Sequence, residues 1–195
     1  LKRLIIGGLE RVYEICKDFR NEGLSTKHNP EFTALEAYQA YADYHDMMAL
    51  TEEMVSTAAR EVLGGTRITF QGQDIELAPP WERLTVREAL RRHGGLDLTA
   101  HRDPHVLSDE LAKRGLAADP SLGWGKLVDL AISTWVEPSL VQPTFLTDYP
   151  LELSPLAKRK PEDPTLVERF LPFIAGMELV NAFTELNDPL EQRER

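Results

Sequence analysis

The chain has 195 residues, 42% apolar and 28% charged, enough for one hydrophobic core with at most a small satellite module. Acidic residues outnumber basic ones 32 to 22, and the net charge of -10 excludes a surface built broadly to grip nucleic acid. A single cysteine, Cys16, excludes an internal disulfide and an all-cysteine metal site and favours a reducing, cytoplasmic setting; no apolar run approaches the roughly 18 residues of a membrane span. The first residues lack the long apolar core and cleavage site of a signal peptide, and the missing initiator Met suggests a piece of a longer protein.

Residues 1–6 read as the end of a helix closed by Gly7-Gly8. Alternation then predicts strands over 10–22 and 31–42, joined by the turn-rich 23–30 into a long hairpin. A helix is expected over 44–63, ended by Gly64-Gly65, and a short hairpin over 67–77. Thr85-Val86-Arg87-Glu88 is a capping box that starts a helix running to Gly94-Gly95. Two more helical segments follow near 105–114 and 122–136, punctuated by Pro104, Pro120 and Pro138. Strand character returns at 144–149, and 167–186 reads as a hairpin turning near Ala175-Gly176. A last helix begins at Asp188-Pro189, and the chain stops inside it. The expected fold is α+β, a mostly antiparallel sheet flanked by helices. Its core parts are 1–93 and 141–195, with a helical insertion over 94–140.

Residues two apart share a strand face, so Arg20 and Glu22 share one and Phe32, Glu36 and Tyr38 another. If the hairpin aligns them, one surface holds a guanidinium suited to phosphate or carboxylate, two carboxylates, a phenol and a ring that can stack on a base. Spacing alone favours a solvated polar face. Asn181, Phe183 and Glu185 alternate likewise, with Glu178 near the start; Glu178 and Glu185 suit magnesium or simply make an exposed acidic strand. His101 and His105 have Pro104 between them and no third ligand, so two loop histidines are the better reading. Gly125-Lys126 lacks the following Ser or Thr of a phosphate loop. Cys16 is expected to be a packed strand thiol, and Met47-Met48 core packing.

The run Phe19-Arg20-Asn21-Glu22-Gly23, His28-Asn29-Pro30-Glu31-Phe32-Thr33 and Leu35-Glu36-Ala37-Tyr38-Gln39-Ala40-Tyr41-Ala42-Asp43-Tyr44 resembles the second signature motif of lysyl-tRNA synthetases. Phe-Arg-x-Glu is general to class II synthetases, whereas Ala-Tyr-Ala-Asp-Tyr is narrower. Gln142-Pro143-Thr144-Phe145, Ser154-Pro155-Leu156-Ala157 and Asn181-Ala182-Phe183-Thr184-Glu185-Leu186-Asn187-Asp188 resemble later segments of that family, in the same order. The resemblance covers nearly the whole chain and is weakest over 94–125.

The resemblance implies lysine, ATP and the acceptor end of tRNA(Lys) as substrates, Mg2+ as cofactor, and a cytoplasmic homodimer as the full-length protein. Arg20 would be catalytic, touching the α-phosphate and the lysine carboxylate. Glu22 would hold the adenine edge with Phe32 beneath the ring, and His28 and Asn29 would lie near the phosphates. Glu36 and Tyr38 would select the ε-ammonium, Asn181 would bind the carboxylate, and Phe183 would pack on the stem. Glu178 and Glu185 would coordinate magnesium, with Glu185 also facing the substrate amine. The family's anticodon barrel and its first and third motifs are not in this sequence, so the isolated chain is expected to be inactive. A relative that attaches lysine-like amino acids to a translation factor shares His-Asn-Pro-Glu-Phe-Thr, and a non-catalytic paralogue is the third possibility.

Overall fold

The alternating stretches flanking 23–30 form two nine-residue strands, β1 (Arg11–Phe19) and β2 (Glu31–Gln39), preceded by a short helix, α1 (Lys2–Ile6). The computed structural model describes every residue except Glu22, Leu24, Thr26, Lys27 and Pro120. β1 and β2 pair antiparallel, with Val12 opposite Tyr38 and Asp18 opposite Phe32. β2 ends before the expected 42, where Tyr41 takes a left-handed φ of 58° that no strand can continue through. This hairpin and α1 make up one compact unit, Leu1–Ala42; the other is Asp43–Arg195.

The second unit opens on a helix, α2 (Tyr44–Leu63), capped by Asp43. The Asp43 carboxylate accepts from the backbone N–H groups of His45 and Asp46, and the Asp46 side chain accepts from the Asp43 N–H at 2.9 Å. These bonds satisfy donors that a helix start leaves without partners. The expected small hairpin follows as β3 (Arg67–Phe70) and β4 (Gln73–Glu76).

A five-stranded sheet is built from β5 (Glu82–Thr85), β6 (Thr144–Thr147), β7 (Arg169–Ile174), β8 (Met177–Glu178) and β9 (Ala182–Phe183). The other pairings are antiparallel as expected, but β5 pairs with β6 in parallel. Sequence reading missed β5, because four residues running straight into a capping box are too few to show a period. Parallel neighbours need a long crossover. Here it is the helical segment: α3 (Val86–Gly94), α4 (Pro104–Lys113), α5 (Trp124–Ala131), a π turn over Ile132–Val136 and a 3-10 turn over Glu137–Ser139.

The sheet is covered on both faces. Phe145 and Phe170 pack against Trp81 and against Tyr44 and Met48 of α2, as expected for Met48. Their neighbours Leu146 and Leu171 point the other way, into one core with Leu90, Leu107, Leu127 and Val128 of the crossover. Segment 94–140 therefore shares its core with the sheet. A final helix, α6 (Pro189–Glu194), is capped by Asp188. Among the described residues no helix is long and apolar enough to cross a membrane.

Candidate active site

Residues directly opposite in an antiparallel ladder point to the same side. The pairing of Asp18 with Phe32, Glu14 with Glu36 and Val12 with Tyr38 thus puts Phe32, Glu36 and Tyr38 on one face of the hairpin. The Arg20 N–H extends the ladder to the Pro30 carbonyl at 2.9 Å. Its guanidinium carbon lies 5.1 Å from the centre of the Phe32 ring. A cation over a ring thus marks one end of the face, and Glu36 lies four residues, about 13 Å, further along β2. There Glu36 faces Glu14, a like-charged pair that is unfavourable alone and well suited to a cation. The Lys2 ammonium sits 5.9 Å from the Tyr38 ring centre.

Cys16 lies on the same face, its thiol pushed up by burial and by the carboxylates of Glu14, Glu36 and Asp18. A thiol shifted in this direction is a poor nucleophile. Beyond the strands, the Ser25 hydroxyl accepts from the His28 backbone N–H and meets His28 Nδ1, both at 3.0 Å. Asn29 is exposed beside it. Glu22 falls outside the described residues.

In the second unit the late strands carry the other candidates. β8 pairs with β7 so that Glu178 faces Phe173, whereas β9 pairs so that Phe183 faces Arg169. The two registers differ by one residue, so a bulge lies between them, beside Pro172. The Leu179 N–H donates to the Pro172 carbonyl at 2.9 Å, and Pro172 has no N–H to return the bond. The extra residue matters for the site. Glu178 and Asn181 are three apart, which would put them on opposite faces of a regular strand. The bulge restores Glu178 to the face that carries Asn181 and Phe183.

Glu178 opens on a cavity of about 220 Å³ whose wall includes Asp129, Glu137, Tyr149 and Arg169. Tyr149 is only 3% exposed, and its hydroxyl has no hydrogen-bond partner among the described residues. Burial pushes that phenol well above its ordinary value, and the nearby carboxylates add to the rise against Arg169. Arg169 crosses from this cavity to Asn181, donating from Nε to Asn181 Oδ1 at 3.1 Å. Sequence reading passed over Arg169, because a single charged residue in an apolar strand carries no mark of its partner.

The ladder separates the two carboxylates assigned to magnesium. From Phe173, opposite Glu178, to Arg169, opposite Phe183, is four residues of β7, about 13 Å. Glu185 lies two residues beyond Phe183 and bridges to Ala157. Magnesium binds oxygen at about 2.1 Å, so one ion shared by both would need the segment between them to bring the two side chains together across that spacing. Among the described residues no group of three or more His, Cys, Asp or Glu is placed to hold a metal. A single carboxylate completed by substrate phosphates remains compatible with either position.

Gly125 lies inside α5, where a Cβ would come within 3.2 Å of Glu152 Cβ. Close helix packing explains it better than phosphate binding. The signature's Tyr44 is structural as well. It is buried, and its hydroxyl donates to Asp148 at 3.3 Å and accepts from Lys160 at 3.3 Å.

The sequence pattern of the class II tRNA synthetases (D, K and N) matches residues 1–195. The chain is 54% identical over 195 residues to a lysine–tRNA ligase of Dehalococcoides mccartyi, covering 100% of this chain and 39% of that protein. To the lysine–tRNA ligase of Pelotomaculum thermopropionicum it is 57% identical over 197 residues, covering 100% and 39%. To that of Roseiflexus castenholzii it is 54% identical over 195 residues, covering 100% and 40%. The chain thus spans about two fifths of the length of these curated relatives.

Proposed function

The chain belongs to the class II tRNA synthetases (D, K and N), and from that premise we propose that it carries part of the machinery that activates L-lysine with ATP and transfers it to tRNA(Lys). The observation that carries the reading is the hairpin face on which Arg20 lies over Phe32 while Glu36 and Tyr38 stand further along. The lysine–tRNA ligase names of relatives at 54% and 57% identity support lysine as the amino acid.

In this reading the lysine carboxylate attacks the α-phosphorus in line, and the bond to pyrophosphate breaks as the acyl–phosphate bond forms. Arg20 contacts both reacting groups and neutralises charge that develops on the phosphoryl oxygens, so positioning and electrostatics do the catalytic work. Phe32 stacks under the adenine, Glu22 holds its edge, and His28 and Asn29 lie towards the phosphates and the tRNA acceptor end. Glu36 and Tyr38 bind the ε-ammonium, Phe183 packs on the stem, Asn181 takes the carboxylate and Glu185 an amine. Discrimination against uncharged side chains follows, since a substrate that covers the Glu36 carboxylate without an ammonium to pair with it leaves that charge unmatched. Glu178 gives one oxygen to a magnesium ion that arrives with the nucleotide. Such an ion, when bound, neutralises phosphate charge. Segment 94–140 stands as a helical insertion between core parts 1–93 and 141–195, and the full-length protein acts as a cytoplasmic homodimer.

The test is ATP–pyrophosphate exchange by the full-length protein, with all twenty amino acids offered separately. Exchange is expected with lysine alone and is lost in Glu36→Gln. Exchange with a different amino acid would remove the lysine assignment.

A further inference from the structure

Resting on the assignment of Asn181 to the lysine carboxylate, we propose that Arg169 is the positioning residue that fixes the amide of Asn181 with its N–H donors towards the substrate.

The sign of the interaction decides the orientation. Arg169 Nε lies 3.1 Å from the Asn181 side chain. A guanidinium can only donate, so the atom that faces it must be the amide oxygen. The flipped amide would set N–H against N–H. With its oxygen turned to Arg169, Asn181 presents its two N–H donors on the other side, and a carboxylate is a pure acceptor.

Arg169 is itself held. One terminal nitrogen donates to the Leu153 carbonyl at 2.8 Å and to the Ser154 hydroxyl at 2.9 Å. The guanidinium carbon stacks 4.9 Å from the Tyr149 ring centre. Ser154 and Tyr149 are 4% and 3% exposed, so both supports are buried. β7 places Arg169 directly opposite Phe183, and Asn181, two residues before Phe183, meets the Arg169 guanidinium. A planar fork held at one end and along one face has little freedom, so its Nε–H stays aimed at one atom. Lysine has neither the fork nor the plane.

The measurement is the affinity of the full-length protein for lysine and for 1,5-diaminopentane, which is lysine without its carboxylate, in wild type, Asn181→Ala, Arg169→Met and Arg169→Lys. Asn181→Ala is expected to cut the preference for lysine over the diamine about tenfold or more, the worth of a hydrogen bond to a charged group. Arg169→Met is expected to cut it by a similar factor while diamine affinity stays unchanged. Arg169→Lys keeps the charge and is expected to lose most of the preference too; it carries the comparison if Arg169→Met fails to fold. If Asn181→Ala collapses the preference and both Arg169 variants keep it, Arg169 does not position the amide. If Arg169 variants weaken both ligands equally, the role is general support and the inference fails. An unchanged preference in Asn181→Ala would remove the carboxylate assignment itself, and the inference with it.

Discussion

The Lys160 ammonium lies 2.8 Å from the Asp148 carboxylate, and each side chain is only 14% exposed. Tyr44 closes the triangle, donating to Asp148 and accepting from Lys160. The cluster ties the first turn of α2 to the end of β6 and to the segment before β7. Lys160→Met would leave the Asp148 charge buried without its partner, a loss of about 3–5 kcal/mol for a buried pair. Lys160→Met with Asp148→Asn is expected to cost less than Lys160→Met alone. Urea unfolding of the four-member cycle checks this, and simple additivity would mean that the pair is uncoupled.

The same cluster sets an alkaline limit. Burial alone would lower the Lys160 pKa, but the bonds from Asp148 and Glu162 outweigh it and hold the ammonium above its ordinary value. Burial also raises the Tyr44 phenol, with Asp148 adding to the rise. Both groups bind protons more tightly folded than unfolded. Their contribution is therefore fully present below the unfolded values, about 10.4 for Lys and 10 for Tyr, and is lost as pH rises through the folded ones. Unfolding free energy should show no loss from this cluster between about pH 7 and 9 and should fall steeply above about pH 10.4. Lys160→Met is expected to flatten the alkaline fall; an unchanged slope would place its origin elsewhere.

The structure gives opposite signs to two effects of one substitution at Gly94, the last residue of α3. Alanine is the better helix former by about 1 kcal/mol. A Cβ there would, however, run into the ring of Trp135, which packs against the main core. The ring cannot retreat without opening that contact, and overpacking of this kind costs about 1–3 kcal/mol. Gly94→Ala is expected to destabilise by thermal melting, and Gly94→Ala with Trp135→Leu to recover stability.

The features legible in the sequence were local ones. Thr85 and Glu88 announce their helix because a capping box acts within four residues, and it forms as read. The hairpin was legible because nine residues of alternation on each arm leave little room for another period. The bulge was not, since a one-residue slip between Glu178 and Asn181 depends on pairing with β7. The Tyr44 cluster was hidden by distance: its partners Asp148 and Lys160 lie 104 and 116 positions away. Arg169 was hidden by its type, because a charged residue in a strand reads as a solvated face until its acceptors are seen. The site residues quoted from the signature were visible only through the resemblance, and that same signature mixes Arg20 and Glu36 with Asp43 and Tyr44, which cap and anchor α2.

The spacing along β7 makes the roles of Glu178 and Glu185 separable by experiment. Glu178 stands opposite Phe173, while Phe183 stands opposite Arg169 and Glu185 lies two residues further on. At about 3.3 Å per residue the two carboxylates start well apart along the ladder, which favours separate roles. If Glu178 alone supplies the protein's oxygen to magnesium, Glu178→Gln should raise the magnesium concentration needed for half-maximal ATP–pyrophosphate exchange and leave the KM for lysine nearly unchanged. If Glu185 faces a substrate amine, Glu185→Gln should raise the KM for lysine about tenfold or more, the scale of a lost charged hydrogen bond, with an unchanged magnesium midpoint. Measuring both parameters in both variants of the full-length protein separates the cases. A shift of the magnesium midpoint in both variants would mean that the strands bend far enough to bring the two carboxylates to one ion, contrary to the ladder. A shift in lysine KM in both would instead move Glu178 into the amino-acid site, and would leave magnesium to the nucleotide phosphates and water.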